Sequence, residues 1–279
     1  MPARTYVIGD IGGHLSSLEY ALARAGIRKP SLRLPPDVYV VQVGDLIDRG
    51  PFSYECVVLA HQVASANPGR YIQLAGNHEA NWISLHNHFN TDSDSAAVNE
   101  ILSWTNEGGM YLAAYIERPE PWLLTHAGLT RGVWESLSCP GSVADSAKAI
   151  NDAWENPLFY NSVAKPGMIL GNPVSNSAGV FWSDAARELI PSWDGHEMPF
   201  NQAHGHSVPW DYYRHNWKVP ASAPHTRFVN EDRRHVTTKV ANMSIVSIDP
   251  CLGVRGNVPF EPLMIPGPAA VRGAPLSIH

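Results

Sequence analysis

The chain has 279 residues, of which 44% are hydrophobic and 16% are charged, so it has ample apolar material for a core and does not resemble a disordered protein. Its formal net charge of -6 and its lack of any Lys/Arg run argue against a nucleic-acid-binding surface. We see neither a signal-peptide pattern nor an apolar run of membrane-spanning length, so we expect a cytoplasmic protein with no membrane partner.

The first third of the chain alternates regularly between predicted strands and helices. Strands are predicted at 6–8, 38–43 and 71–74, and a helix follows each of the first two. This order favours an open sheet with right-handed crossovers, in which functional side chains gather beyond the carboxyl ends of the strands. Each of these strands is followed by a loop that begins with glycine and carries Asp, Asn or His.

The later elements are less regular. Short strands are predicted at 122–125, 200–203 and 244–249, and residues 82–118 and 132–198 are expected to form irregular or helical insertions. Residues 259–279 are rich in proline and are expected to form an extended tail on the surface. Because no internal repeat is present, we predict a single domain over residues 1–279.

Polar residues at the ends of the predicted strands form a candidate metal site. They offer oxygen and imidazole donors without thiolates, a set that suits Mn, Fe, Zn, Ni or Mg. A carboxylate shared by two ions holds them roughly 3.5–4 Å apart, which suits in-line displacement at phosphorus. Taken singly, such residues are often helix N-caps or buried structural histidines. The set comprises Asp10, Asp45, Asn77, His126, His204 and His206.

The motifs that contain these residues resemble those of a known family. GDIGGH at 9–14, GDLIDRGP at 44–51, LAGNHE at 74–79, THAG at 125–128 and HGHS at 204–207 are similar to the ordered motifs of calcineurin-like metallophosphoesterases. The similarity is greatest to the branch of Ser/Thr protein phosphatases and diadenosine tetraphosphatases. It implies an α/β (α+β) fold of four layers, an αββα arrangement in which a β-sandwich is flanked by helices.

The resemblance also implies a dinuclear centre of two divalent ions, with Mn, Fe, Zn and Ni as candidates. On this basis Asp45 bridges the two ions and Asp10 binds the first. Asn77 and His126 bind the second ion.

The resemblance further assigns roles to residues beside the metal ligands. His78 is the general acid that protonates the leaving oxygen, and Asp48 orients it and supports its charged form. Arg49 holds the phosphoryl group through its planar guanidinium. Arg131, just after THAG, is a candidate for a second phosphate contact, with a solvated loop arginine as the alternative interpretation.

One family position is missing from this sequence. The pattern GD-x-H-G places a first-metal histidine where this chain has Gly12. His14 could reach back to the first ion, or the pair His204 and His206 could supply the ligand. Our preferred assignment puts His204 on the second ion and His206 on the first, and a weakened first site is the third possibility.

The function implied is hydrolysis of a phosphoester by metal-bound hydroxide, with His78 as the acid. The abundance of tryptophan favours a small, partly apolar organic phosphate as substrate. The alternatives are a Ser/Thr phosphoprotein, a dinucleoside polyphosphate, metal-dependent chemistry other than phosphoryl transfer, and a non-catalytic binding or regulatory module with a decayed first metal site. The oligomeric state is left open.

Overall fold

The computed structural model describes residues 2–84, 88–220, 225–253, 256 and 258–279. In these ranges the strands are β1 Arg4–Ile8, β2 Val38–Gln42, β3 Tyr71–Leu74, β4 Met110–Tyr111, β5 Ala113–Ile116, β6 Trp122–Thr125, β7 Asn201–His204, β8 Trp210–Asp211, β9 Asn216–Trp217, β10 Thr226–Asn230, β11 His235–Val240, β12 Met243–Ser247, β13 Leu263–Pro266 and β14 Ala269–Ala270.

The helices follow the strands in the order that the first third of the sequence predicts. Their boundaries are often marked by polar caps: Asp94, Ser142 and Asn156 each accept a backbone N–H of the first helical turn. The helices are α1 Leu15–Arg24, α2 Ser53–Ala66, α3 Asn77–Ile83, α4 Ser95–Asn106, α5 Arg131–Ser136, α6 Val143–Glu155, α7 Pro157–Val163 and α8 Ile190–Ser192, with a 3-10 turn at Met168–Leu170 and a π-helical turn at Ala185–Leu189.

Two sheets of the described residues face each other. The first has the order β13-β1-β2-β3-β4, and β1 to β4 run parallel in it. The second has the order β10-β11-β12-β7-β6-β5-β14, and its central strands β12, β7 and β6 are parallel. Parallel strands buried on both faces carry nearly continuous apolar runs, as VYVVQ of β2 does.

The apolar residues divide between the layers of the sandwich. Val7, Val41 and Leu74 of the first sheet pack against Leu124 and Val246 of the second in one cluster between the sheets. A larger cluster lies between the sheets and the outer helices, where α2 packs against β3 of the first sheet and α6 packs against β5 and β6 of the second. The segment that contains α8 covers the far side of β11 and β12 in a third cluster. The predicted four-layer αββα fold class is thereby confirmed.

The C-terminal tail adds strands that the sequence analysis did not predict. β13 pairs antiparallel with β1, and β14 pairs antiparallel with β5. Residues 259–279 therefore contribute an edge strand to each of the two sheets. Ile265 and Leu276 of this segment are buried. The antiparallel ladder of β10 and β11 was also not predicted. Along the described part of the chain, no helix has both the length and the apolar character needed to cross a bilayer.

Candidate metal centre

Strand ends from both sheets converge on one cleft. β1, β2 and β3 end at one edge of the first sheet, and β6, β7 and β12 end at the facing edge of the second, because each trio is parallel. The loops after these strands line a cleft of about 410 Å³, which we call the strand-end cleft. Its lining includes Asp10, Asp45, Asn77, His78 and His206. The topology thus brings together side chains that are distant in the sequence, such as Asp10 and His206, which are 196 positions apart.

A compact group of donors lies at the floor of this cleft. Asp45, His126 and His206 each offer one donor atom, and these atoms lie within 4.8 Å of one another. Asn77 Oδ1 lies 2.9 Å from His126 Nε2 and 2.9 Å from His206 Nδ1. Carboxylate, amide oxygen and two imidazoles form a donor set that suits a divalent transition metal.

The hydrogen bonds around His126 indicate that a cation fits this group. His126 Nδ1 lies 2.9 Å from the carbonyl oxygen of Val43, so it must carry the proton, and Nε2 presents a lone pair. Nε2 in turn faces Asn77 Oδ1, and it lies 3.6 Å from Asp45 Oδ1. Burial lowers the pKa of His126, which favours the neutral ring. Acceptors that face one another in this way are stabilised by a positive ion between them.

His206 completes the same group. Burial, followed by the neighbouring His126, lowers the pKa of His206 well below its usual value. Its Nε2 is buried and has no hydrogen-bond partner among the described residues. Its backbone N–H donates to both carboxylate oxygens of Asp10, at 3.0 and 3.1 Å. His206 therefore links the group around Asn77 to Asp10, the residue that the resemblance places on the first metal.

The predicted acid and its partner are in direct contact. His78 Nδ1 and Asp48 Oδ2 form a short hydrogen bond, and His78 Nε2 lies 3.9 Å from Asp45 Oδ2. Burial by itself would lower the pKa of His78, but the charge of Asp45 and the bond to Asp48 outweigh it and raise the pKa. Asp48 is itself held by Ser93 Oγ at 2.5 Å.

Arg49 lines the strand-end cleft on its open side. Its side chain is exposed, and its guanidinium has no hydrogen-bond or ion-pair partner among the described residues. Arg49 and Asp48 both have positive φ, 64° and 68°, a strained conformation for residues with a Cβ. Such strain is often found in functional loops. An unpaired guanidinium at this point is available for an anion.

Glu79 joins two of the loops, a role that the sequence analysis did not assign. Its buried carboxylate accepts the backbone N–H groups of Gly76, Asp45 and Leu46, at 2.7 to 2.8 Å. It thereby fastens the GNHE turn to the GDLIDRG turn and sets the position of Asp45. Burial, followed by the charge of Asp45, raises the pKa of Glu79 to about 7. The signal in the sequence is the position of Glu79 three residues after the N-cap Gly76.

Three candidates lie elsewhere. His204 is buried at the end of β7, where Nδ1 lies 2.9 Å from the carbonyl oxygen of Gly205 and Nε2 lies 2.9 Å from Ser247 Oγ. The preferred assignment placed His204 beside Asn77 and His126, and the structure instead places His206 there. β7 ends at His204, and the chain then leaves the extended conformation, with φ 60° at His206, so the two histidines do not share the face that they would share in a continuous strand.

His14 and Arg131 do not line the strand-end cleft. His14 Nε2 lies 2.8 Å from the carbonyl oxygen of Gly253. Arg131 contacts Glu135 at 2.5 Å and His196 at 2.6 Å. The lining of the cleft also includes residues without a predicted role, among them Ile169, Tyr213, Asp249 and Cys251. Asp249 ends the predicted late strand, and the other three carry no recognisable signal.

Comparisons with known proteins agree with this picture. An uncharacterized protein of Schizosaccharomyces pombe is 27% identical over 202 residues, which are 59% of this chain and 59% of that protein. The serine/threonine-protein phosphatase 2B catalytic subunit A1 of Saccharomyces cerevisiae is 40% identical over 45 residues, 16% of this chain and 8% of that protein. The matches thus span less than two thirds of the length of these curated relatives.

A solved structure shares the fold. The cold-active protein-tyrosine phosphatase of a psychrophilic Shewanella species matches with a TM-score of 0.53 and 14% identity, covering 93% of this chain and 74% of that chain. The family model described as calcineurin-like phosphoesterase matches residues 3–218, which include β1, β2, β3, β6 and β7 and the loops that follow them. The resemblance noted in the sequence is therefore confirmed, and the chain belongs to the calcineurin-like phosphoesterase family.

Proposed function

We propose that this protein hydrolyses phosphate esters at a dinuclear metal centre in the strand-end cleft, and that its substrate is a small organic phosphate. Membership of the phosphoesterase family supports metal-dependent phosphoester hydrolysis in general. The single observation that carries the proposal is the combination of the donor group of Asp45, Asn77, His126 and His206 with an unpaired Arg49 in one cleft.

The chemistry divides between the ions and the chain. When bound, two divalent ions lower the pKa of water and neutralise phosphoryl charge. Asp45, Asn77, His126 and His206 would hold the second ion, and Asp10 and Asp45 would contribute to the first. The identity of the ions, among Mn, Fe, Zn and Ni, is part of the proposal.

The remaining residues act on the substrate. Arg49 would donate hydrogen bonds to two phosphoryl oxygens in a bidentate contact, because its fork is unpaired and lines the cleft. His78 would protonate the leaving oxygen through Nε2, since Nδ1 is engaged by Asp48. The support of Asp48 keeps the imidazole charged until that proton is needed.

The apolar side of the cleft favours a small substrate with an organic group. Ile169 and Tyr213 line the cleft beside the polar residues, and both are exposed, at 46% and 62%. These side chains can contact the apolar part of a phosphomonoester. A partner of this kind needs no nucleic-acid or membrane surface.

The test compares three phosphate substrates on protein loaded with Mn²⁺: 4-nitrophenyl phosphate, a phosphoserine peptide and diadenosine tetraphosphate. We expect the highest kcat/KM with 4-nitrophenyl phosphate. The variant Arg49→Ala should lower kcat/KM by roughly 10- to 150-fold, the equivalent of about 1.5–3 kcal/mol for a charged hydrogen bond. Arg33→Ala, an exposed arginine elsewhere, is the matched control and should behave as the wild type.

The outcomes separate the candidate functions. Greater activity on the phosphoserine peptide or on diadenosine tetraphosphate would replace the proposed substrate class. Unchanged activity of the Arg49→Ala variant would show that Arg49 does not bind the phosphoryl group. No hydrolysis of any phosphoester by fully loaded protein would favour the non-catalytic module.

A further inference from the structure

The first metal position lacks a side chain that the family pattern provides. Gly12 occupies that place with φ +53°, a left-handed conformation that residues with a Cβ rarely adopt. His14 is bonded to Gly253, and the Nδ1 atom of His206 faces Asn77. Of the positions that the resemblance names, only Asp10 and Asp45 are left to supply side-chain donors to the first ion.

We infer that Asp249 is the missing ligand of the first metal ion. The inference rests on the dinuclear function proposed above and adds a residue to it. Asp249 lies two residues beyond the end of β12 and lines the strand-end cleft together with Asp10, Gly12 and Asp45. No family pattern used above assigns it a role.

The register of the second sheet brings Asp249 to this point. Ser247 of β12 pairs with His204 of β7, and His204 pairs with Thr125 of β6, so the three parallel strands end in line. The N–H of Ile248 then continues the ladder to the carbonyl oxygen of His204 at 2.8 Å. Asp249 is the next residue along the chain. It therefore follows β12, the strand of this parallel trio to which no other donor is assigned.

The two sheets also touch where Asp249 begins. A Cβ on Gly9 would lie 2.2 Å from the carbonyl oxygen of Ile248 and 3.1 Å from Pro250 Cδ, so only glycine permits this approach. Gly9 precedes Asp10 and Ile248 precedes Asp249. The close backbone contact therefore sets the two carboxylates at the start of facing loops.

In the part of the chain that the structure describes, no cationic side chain pairs with the carboxylates at this place. Neither Asp10 nor Asp249 forms an ion pair with a Lys or Arg among the described residues. Within the same residues, the carboxylate of Asp249 accepts hydrogen bonds only from Cys251. The backbone nitrogen of Cys251 lies 2.7 Å from Oδ1, and its Sγ lies 3.6 Å from Oδ2. Buried carboxylates without an ion-pair partner are costly, and a divalent cation offsets that cost.

With Asp249 as a ligand, the two metal positions would differ in the ions that they prefer. Asp10, Asp45 and Asp249 would give the first ion an all-oxygen set, whereas His126 and His206 make the second position rich in nitrogen. Oxygen donors suit Mn²⁺, and imidazoles suit Zn²⁺ and Fe²⁺ as well. The first ion should therefore be the more weakly held, and Mn²⁺ is the probe that reports on both positions.

The experiment measures metal binding independently of activity. The full chain is stripped with chelator, loaded with Mn²⁺ and freed of excess ion, and its manganese content and EPR spectrum are recorded. We expect two ions per chain with a coupled spectrum for the wild type, and one ion with a mononuclear six-line spectrum for Asp249→Asn. The dissociation constant of the weaker ion should rise more than about tenfold. Asp232→Asn, an exposed carboxylate, is the control and should retain two ions.

Two failures can be told apart. If the wild type holds two ions and Asp249→Asn also holds two with unchanged dissociation constants, the role of Asp249 is refuted and the dinuclear function stands. If the wild type itself holds at most one ion, the dinuclear proposal fails and the inference with it. Thermal unfolding of the metal-free proteins checks that the variant is folded, and Asp249→Ser, which should give the same loss, replaces it if it is not.

Discussion

The contact between His78 and Asp48 leads to a sharp prediction, because the substitution Asp48→Asn changes charge while preserving shape. Asp48 Oδ2 bonds His78 Nδ1, and Oδ1 accepts from Ser93 Oγ. The asparagine oxygen can still accept from His78, and its amide N–H can donate to Ser93 Oγ, whose hydroxyl can turn towards Thr91. The imidazole of His78 would keep its position and lose only its interaction with the negative charge of Asp48.

The magnitude follows from the type of bond that is lost. A hydrogen bond to a charged group contributes about 1.5–3 kcal/mol and a neutral one about 0.5–1.5 kcal/mol. The difference of about 1–1.5 kcal/mol corresponds to a loss of roughly 5- to 13-fold in the step that needs the protonated His78. The loss should be large for phenyl phosphate, whose leaving oxygen needs a proton, and small for 4-nitrophenyl phosphate, whose leaving group is already stable as an anion.

The assay is kcat/KM for these two substrates on Mn²⁺-loaded protein, with metal content measured on the same samples. Asp92→Asn is the matched control, an exposed carboxylate near Ser93 that should leave both values unchanged. Equal losses for the two substrates would indicate a displaced site instead of a weakened acid. No loss for either, in a folded and loaded variant, would refute the role of Asp48.

Three further predictions concern metal binding and stability. His206→Ala should reduce the metal content from two ions to one, whereas His204→Ala should keep both ions and only lower stability; elemental analysis that shows the reverse would restore His204 as the ligand. Asn151→Leu should lower the free energy of unfolding, measured by urea titration, by about 2–6 kcal/mol. The reason is that the buried amide oxygen of Asn151 accepts two backbone N–H groups, which would be left without a partner in the variant. A change below about 0.5 kcal/mol would show that the surrounding structure relaxes to satisfy them. His235 donates to the carbonyl oxygen of Glu261, and burial lowers the pKa of His235 in the folded protein. The unfolded chain therefore binds more protons below pH about 6.5, and the free energy of unfolding should fall there by up to about 1.4 kcal/mol per pH unit. His235→Gln should remove this pH dependence, and an unchanged slope in the variant would contradict the prediction.

The donors and their loops were predictable because they are encoded locally. An apolar run that stops at glycine followed by Asp or Asn marks the carboxyl end of a parallel strand, and three such runs in the first third of the chain predicted β1, β2 and β3 close to their observed bounds. The same pattern singled out Asp10, Asp45 and Asn77 before any geometry was known. The motif spacing then pointed to the family that the comparison confirmed.

The second sheet was less predictable because its strands lack that signal. β10 reads TRFVN and β11 reads HVTTKV, alternating and partly polar, as edge and antiparallel strands do. The proline-rich tail similarly gave no sign of β13 or β14, since an edge strand tolerates proline where its N–H is not needed. Their pairing partners lie far away in the chain, where local periodicity carries no information.

The amino-acid sequence therefore specifies the chemical groups that the site can use, whereas the tertiary fold brings a particular subset of them together. HGHS offers two histidines that no local rule distinguishes, and the turn after β7 sends His206 to Asn77 while His204 bonds Ser247. Asp249 is an unremarkable strand-end residue until the pairing of β12 with β7 and the contact at Gly9 bring it to the cleft. The physical reason is that donor chemistry belongs to single residues, but proximity depends on the register of strands and the approach of two sheets.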